Sequence, residues 1–334
     1  MKLDKKESDI RKIKLYLLKE IPALKNILDI HKLGTGASHL NYLITTPKNK
    51  IVLRKDIDKS TKGKLKREYL ALKAIEKLDV APIPLYFQQS SKIGSFILLK
   101  YVEGIPLNKG NYKLSLSVIK KLAREVAELH SVPVFSLRKR LPLEFHKPSS
   151  YLKEIRAYKK QLKPYVKSKK FFLWIDEMYY RFNSLSKNFK FQYGYCLIHS
   201  DIQEQNIIIQ NNKMKLIDWE SAMISDPATE VSYILTQFGE PFTQRQKDQF
   251  IDEYLKNKKD TSLKERVEFY IPLRFFLDFL WSILQTGKIK KGILYYSDKN
   301  KRVINQRKYT RVCLKRLIKS SLIDKIQGSF LEEL

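Results

Sequence analysis

Along the first 25 positions, Ile10, Ile13, Leu15, Leu17 and Leu18 stand among charged residues, a pattern that predicts an amphipathic opening helix. Beyond it the apolar runs become short, at 27–33, 40–45 and 51–54, separated by Gly34-Thr-Gly36 and by Thr46-Pro-Lys-Asn-Lys50. That texture predicts consecutive antiparallel strands with a glycine loop between the first two. From Thr61 to Leu78 the spacing of Leu65, Tyr69, Leu72, Ala74, Ile75 and Leu78 is helical again, and Pro82 and Pro84 then block further helix. Residues 96–102 predict another strand, and Gly104 and Pro106 punctuate the chain after it, so a boundary is expected there.

Residues 113–190 read as mainly helical and contain no internal repeat. The segments 195–199, 207–209 and 215–217 are short strands bracketing polar loops, after which helices resume to the end. The most apolar long stretch, 270–284, carries Arg274 and Asp278 and is too short to cross about 30 Å of hydrocarbon, so it predicts a buried helix and no membrane span. Its aromatic group, Tyr270, Phe275, Phe276, Phe279 and Trp281, has the spacing of core packing, with the wall of an acceptor pocket as the other reading.

Composition narrows the class. With 43% hydrophobic and 12% aromatic residues over 334 positions, the chain can bury a core, and disorder does not describe it. Cys196 and Cys313 lie far apart, which excludes a disulfide framework and a paired-ligand zinc motif. Together with a start, MKLDKKESDIRKIK, that has no apolar stretch, this predicts a reducing, cytoplasmic setting. Lysine and arginine number 65 against 35 acids, a formal charge of +30. Two readings stand side by side: lysine spread over solvated helix faces, or a surface that attracts RNA or another polyanion. The densest stretch, 288–319, opposes twelve cations with the single acid Asp298 and interleaves Tyr295, Tyr296 and Tyr309.

The informative chemistry lies in Leu197-Ile-His-Ser-Asp-Ile-Gln-Glu-Gln-Asn206, followed by Leu216-Ile-Asp-Trp-Glu220 and Ser225-Asp-Pro-Ala-Thr-Glu230. Two carboxylates and an amide at the ends of short buried strands suit magnesium, a hard cation that takes oxygen ligands and keeps several waters. Phosphoryl transfer needs metal charge on the phosphates, a base for the acceptor's proton, and alignment. One acid near the acceptor and one on the metal meet that need. Taken singly, Asp201 and Asp218 read as turn-capping acids; the ordered set points to chemistry.

These segments resemble the catalytic and metal loops of the aminoglycoside phosphotransferase and choline kinase-like family, which has a bilobal protein-kinase-like fold. His199, Ser200 and Asp201 match its histidine, small residue and catalytic aspartate, and Asn206 matches the metal-binding asparagine five places on, with Ser200 where glycine is usual. Residues 217–220 are similar to its second motif, whose aspartate binds the metal ions. The resemblance thus implies Asp201 as base, His199 as the residue orienting the catalytic loop, and Asn206 and Asp218 as Mg2+ ligands. Asp226-Pro227 with Glu230 resembles the structural sequel.

Nearer the start, Leu33-Gly-Thr-Gly-Ala-Ser38 resembles the nucleotide loop, where glycines let backbone N–H groups approach phosphates; this implies Gly34, Gly36 and Ser38. Arg54 falls where the family has a strand lysine or arginine that contacts the α- and β-phosphates, with Lys55 adjacent as the alternative, and Glu68 falls where a helical glutamate pairs with it. Residues 98–104 resemble the linker whose backbone holds adenine, which implies Tyr101 and Val102. The implied fold is α+β: a small antiparallel-sheet N-lobe, 1–103, binding nucleotide, and a mainly helical C-lobe, 104–334, carrying catalysis and the acceptor.

The expected function is a magnesium-dependent kinase that moves the γ-phosphoryl group of ATP to a hydroxyl of a small-molecule metabolite. Few acids in the C-terminal half argue against choline or an aminoglycoside as that acceptor. A kinase acting on RNA or protein docked on the basic helices, and a non-catalytic nucleotide-binding module, stand as alternatives. His31, His39, His130 and His146 are scattered without ligand partners at suitable spacing and read as surface or core histidines.

Overall fold

A computed structural model describes residues 2–35, 39–56, 63–109, 114–134, 145–187, 194–237, 242–293 and 299–320. The chain forms two compact units, each gathered from several stretches: Met1–Glu144 with Cys196–Ile224 and Thr243–Lys258, and Phe145–Tyr195 with Ser225–Phe242 and Lys259–Leu334.

The first unit opens with α1 (Lys2–Glu20) and a five-stranded antiparallel sheet. The strands are β1 (Asp29–Thr35), β2 (His39–Thr45), β3 (Lys50–Asp56), β4 (Pro84–Gln88) and β5 (Phe96–Lys100), in the order β1-β2-β3-β5-β4. Strand alternation sends Tyr42, Ile44, Ile51, Leu53, Phe96 and Leu98 to one face, where they pack with Ile13 and Leu17 of α1. The other face receives His39, Asn41, Arg54 and Asp56, because the register sets Asn41 opposite Arg54 and His39 opposite Asp56. Helix α2 (Lys64–Ala74) buries Leu65, Glu68, Ala71 and Leu72.

Two differences from the sequence reading have physical causes. Helix α2 ends well before Pro82, because Ile75 leaves helical geometry at φ −111° and ψ 13° and turns inward to be buried. Pro84 does not merely stop a helix; it begins β4, and the first residue of an edge strand is where proline is tolerated.

After the sheet, β6 (Ile105–Pro106) pairs with β9 (Ile207–Gln210), which forms a hairpin with β10 (Lys213–Leu216). The hairpin closes on Asn211-Asn212, both at positive φ (47° and 59°), as a two-residue turn of the primed type requires. Gly104, at φ 128°, crosses so close to this hairpin that a Cβ would stand 2.5 Å from the Ile209 carbonyl oxygen. Helix α3 (Leu116–Leu129) packs with the helix Gln244–Leu255, joined by Arg124–Glu253 at 2.8 Å and by His130 Nδ1 to the Tyr254 hydroxyl at 2.8 Å. His130 is therefore a satisfied core histidine, as the sequence suggests.

The second unit contains a short strand, β7 (Phe145–His146), and helices α4 (Pro148–Leu162), α5 (Lys169–Ser186), α6 (Pro227–Gln237), α8 (Leu263–Lys290) and α9 (Lys299–Lys319), α7 being Gln244–Leu255 of the first unit. Helix α8 is its axis, packed by α4, α6 and α9. Tyr270, Phe275, Phe276 and Phe279 are buried as their spacing predicts, but Trp281 is 38% exposed, edge-on to Tyr309 at the surface. The position two residues after Phe279 is turned about 200° around the helix.

The acid-proline turn proves structural. Asp226 accepts the Ala228 N–H at 2.9 Å at the start of α6, and Arg266, 2% exposed, donates to Asp226 at 2.9 Å and to Asp260 at 2.7 Å. Among the described residues no helix is long and apolar enough to cross a membrane. Removing one partner leaves buried charge uncompensated, so Asp226→Ala is expected to cost about 3–5 kcal/mol, read from urea unfolding midpoints; an unchanged midpoint would contradict this role.

Candidate active site

The site is assembled inside the first unit, where two loops end short strands. The strand β8 (Cys196–Ile198) is wholly buried and delivers His199, which is itself fully buried. The His199 Nε2–H donates to the Ile217 carbonyl at 2.9 Å, and Nδ1 accepts the Asp201 N–H at 3.2 Å. The ring meets Trp219 edge-on at 4.5 Å. This histidine thus fixes the spacing between the two loops and has both ring nitrogens engaged, which suits an orienting role.

Ser200 adopts φ 72°, the left-handed region that costs a non-glycine residue about 1 kcal/mol. The resulting turn presents Asp201, whose carboxylate is held at both oxygens: Gln203 Nε2 donates to Oδ1, and Asn206 Nδ2 donates to Oδ2 at 3.1 Å and to the Asp201 carbonyl at 2.9 Å. With its amide nitrogen so committed, Asn206 keeps its side-chain oxygen as the acceptor end. The Ile217 N–H donates to the Asn206 carbonyl at 2.9 Å, which brings Asp218 alongside. Asp218 is likewise at positive φ, 71°, and its side chain is 37% exposed. Strained backbone of this kind gathers at functional sites.

Facing these loops is the buried guanidinium of Arg54. Its Nη2 donates to Asp218 Oδ1 at 2.7 Å, and its Nη1 lies 3.1 Å from Glu68 Oε1 without hydrogen-bond alignment. Burial works against the Arg54 charge, but Glu68, Asp218 and Glu220 outweigh it and raise its pKa further. Burial pushes the Glu68 carboxyl up to about 7, against the pull of Arg54. Arg54 lines the adjoining cavity, while strand alternation turns Lys55 away from it.

Three residues of this cluster escape the sequence reading. Glu220 accepts from His39 Nδ1 at 2.8 Å and from Lys64 Nζ at 3.0 Å. Burial acts to raise its carboxyl, but these two hydrogen bonds outweigh it and hold Glu220 down to about 2. His39, 1% exposed, also places Nε2 3.4 Å from Asp56. Its signal was weak because the partners are 17 and 181 positions away; only the alternation of β2 and β3 hints at a shared face. Gln203, inside the motif, is the other omission.

The cavity beside Arg54 and Asp218 has a volume of about 630 Å³ and is walled by Val52, Leu99, Tyr101, Val102, Ile208 and Ile217. That size and its mostly apolar wall suit a nucleoside. The Tyr101 N–H is taken by the Lys50 carbonyl at 3.0 Å. Gly34 lies in β1 at a register irregularity, while Gly36 and Ser38 lie outside the described residues. Among the described residues no cluster of three or more His, Cys, Asp or Glu side chains could cage a metal ion. Asp218 and the Asn206 oxygen make the sparse, hard donor set that magnesium accepts when phosphates and waters complete its shell.

A five-stranded antiparallel sheet bearing a buried arginine–glutamate pair, set over two acid-bearing loops and a nucleotide-sized cavity, defines a kinase-like phosphotransferase. The profile of the phosphotransferase enzyme family (APH) matches residues 29–270, and the chain belongs to that family. Among solved structures it resembles a choline/ethanolamine kinase family protein from Mesorhizobium loti, with 16% identity, 96% of this chain and 97% of that one covered, and a TM-score of 0.66. It resembles choline kinase from Cryptosporidium parvum Iowa II at 16% identity, covering 94% and 97% with a TM-score of 0.66. The ADP-bound aminoglycoside phosphotransferase APH(2'')-Ib is similar at 20% identity, covering 92% and 98% with a TM-score of 0.63. These likenesses establish the fold. No curated protein sequence matches the chain.

The depressed Glu220 carboxyl has a signed consequence. A folded pKa below the unfolded value of 4.5 stabilises above about pH 4.5, and that contribution is lost as pH falls toward 2. Glu220→Gln is therefore expected to be less stable than the native chain by up to about 3 kcal/mol at pH 6, with the gap closing toward pH 2. Urea unfolding across that range checks it; a gap independent of pH contradicts it.

Proposed function

We propose that the chain transfers the γ-phosphoryl group of ATP to a hydroxyl of a small-molecule metabolite, with magnesium. The observation that carries this reading is the carboxylate of Asp201, held by Gln203 and Asn206 in a loop that His199 ties to the one carrying Asp218, which is itself bonded to Arg54. The kinases and phosphotransferases it resembles act on choline and on aminoglycosides, small hydroxylic acceptors, which favours a metabolite over a macromolecule.

In this reading residues 1–103 form the nucleotide lobe and 104–334 the catalytic and acceptor-binding part. Val102 contacts the adenine edge, since the Tyr101 amide is engaged with Lys50. Gly34, Gly36 and Ser38 cradle the phosphates through backbone N–H groups. Arg54, braced by Glu68, contacts the α- and β-phosphates and exchanges its bond to Asp218 for phosphate oxygen.

Asn206 and Asp218 would hold magnesium, which supplies positive charge against the phosphate oxygens. Asp201 accepts the acceptor's hydroxyl proton as that oxygen bonds to the γ-phosphorus and the bridging oxygen leaves with ADP. The supply of ATP and magnesium fits a cytoplasmic location.

Asp201→Ala is expected to lower phosphoryl transfer by at least about 10²–10⁴-fold while ATP binding stays within a few-fold. The measurement is transfer from γ-labelled ATP to a panel of hydroxyl metabolites. Full transfer by the variant would remove Asp201 as the base.

A further inference from the structure

A second cavity, of about 700 Å³, lies wholly within the second unit, between the turn joining α4 to α5, the C-terminal half of α8, and α9. Its floor is apolar: Val166, Phe279, Ile283 and Leu314 are all buried. Its rim is cationic, made of Lys290, Lys291, Arg307, Arg311 and Lys315, and among the described residues no acid lines it. None of the residues assigned to phosphoryl transfer takes part.

A chain with this net charge displays lysines on many faces, so a basic surface alone means little. The arrangement here is more specific. Arg307, Arg311 and Lys315 recur every four residues along α9, forming one stripe of like charges whose neighbours repel one another. Burial and the charge of Arg307 lower the pKa of Lys290, so an anion placed there would relieve a repulsion. One wall is shaped by close packing: a Cβ on Gly287 would stand 2.5 Å from the Tyr165 ring, and the Lys291 Nζ lies 5.1 Å from the centroid of that same ring.

We propose that this cavity binds a single-chain amphiphile with an anionic head, its carboxylate or phosphate seated among Arg307, Arg311 and Lys315 and its hydrocarbon tail along Ile283, Leu314 and Ile318. The volume falls in the range of small-molecule sites, and an apolar floor beneath a cationic rim matches a tail and a head. A nucleic acid would satisfy the rim and leave that floor without a partner.

The test is calorimetric titration of the full chain with dodecanoate and with monododecyl phosphate, both below the concentration at which they form micelles. Inorganic phosphate, dodecyltrimethylammonium and phosphatidylglycerol vesicles serve as comparisons. Saturable one-to-one binding of both anionic amphiphiles is expected, at least tenfold tighter than the cationic one and than inorganic phosphate. Arg311→Glu with Lys315→Glu, both at exposed positions, should weaken it at least tenfold with the unfolding temperature unchanged. Gly287→Ala, by displacing Tyr165, should weaken it independently. Equal binding of all head groups, equal binding of phosphate without a tail, attachment to vesicles without binding of the monomers, or indifference to the charge-reversed variant would each overturn the proposal.

Discussion

A guanidinium taken out of water must be matched by carboxylates, and in this chain that demand organises the candidate site. Arg54 draws Glu68 from a helix and Asp218 from a loop more than 160 positions away into one cluster. Around it Lys64 and His39 attach to Glu220, so that Glu68, Asp218 and Glu220 face Arg54 and Lys64. The strands that carry these groups are placed by ordinary packing, since the face of the sheet opposite Arg54 is the apolar surface that covers α1. Hydrophobic alternation on one side therefore fixes which polar residues meet on the other.

The same economy holds the catalytic loop. His199 ties the two acid-bearing loops together through its ring nitrogens, and Asn206 commits its amide nitrogen to Asp201 while its side-chain oxygen remains an acceptor. Two residues, Ser200 and Asp218, are held in left-handed backbone to make this possible. The surrounding strands are short and buried, which over-determines the turns and lets the strain persist.

Much of this was legible in the residues. The three opening strands, the helix carrying Glu68, the short strands around the catalytic loop and the buried helix around Phe276 all follow from local periodicity, and the acids sit in a recognisable order. What escaped depends on long-range pairing. His39 carries no local sign that it will meet Glu220, and Trp281 shares a helical pattern with residues that turn inward. Proline misled in a different way: Pro84 marks an edge strand as readily as the end of a helix. The density of positive charge at 288–319 is legible in the sequence, but its setting is not: only when α9 and α8 are packed does part of it collect around an apolar floor.

In the proposed function the groups around Asp218 take up a magnesium nucleotide. The most direct measurement is the affinity of a non-hydrolysable ATP analogue for the native chain and for Asp218→Asn, with and without magnesium. Magnesium is expected to tighten binding at least tenfold in the native chain, and this gain to disappear in the variant. Binding indifferent to magnesium, or a gain fully retained by Asp218→Asn, would contradict it.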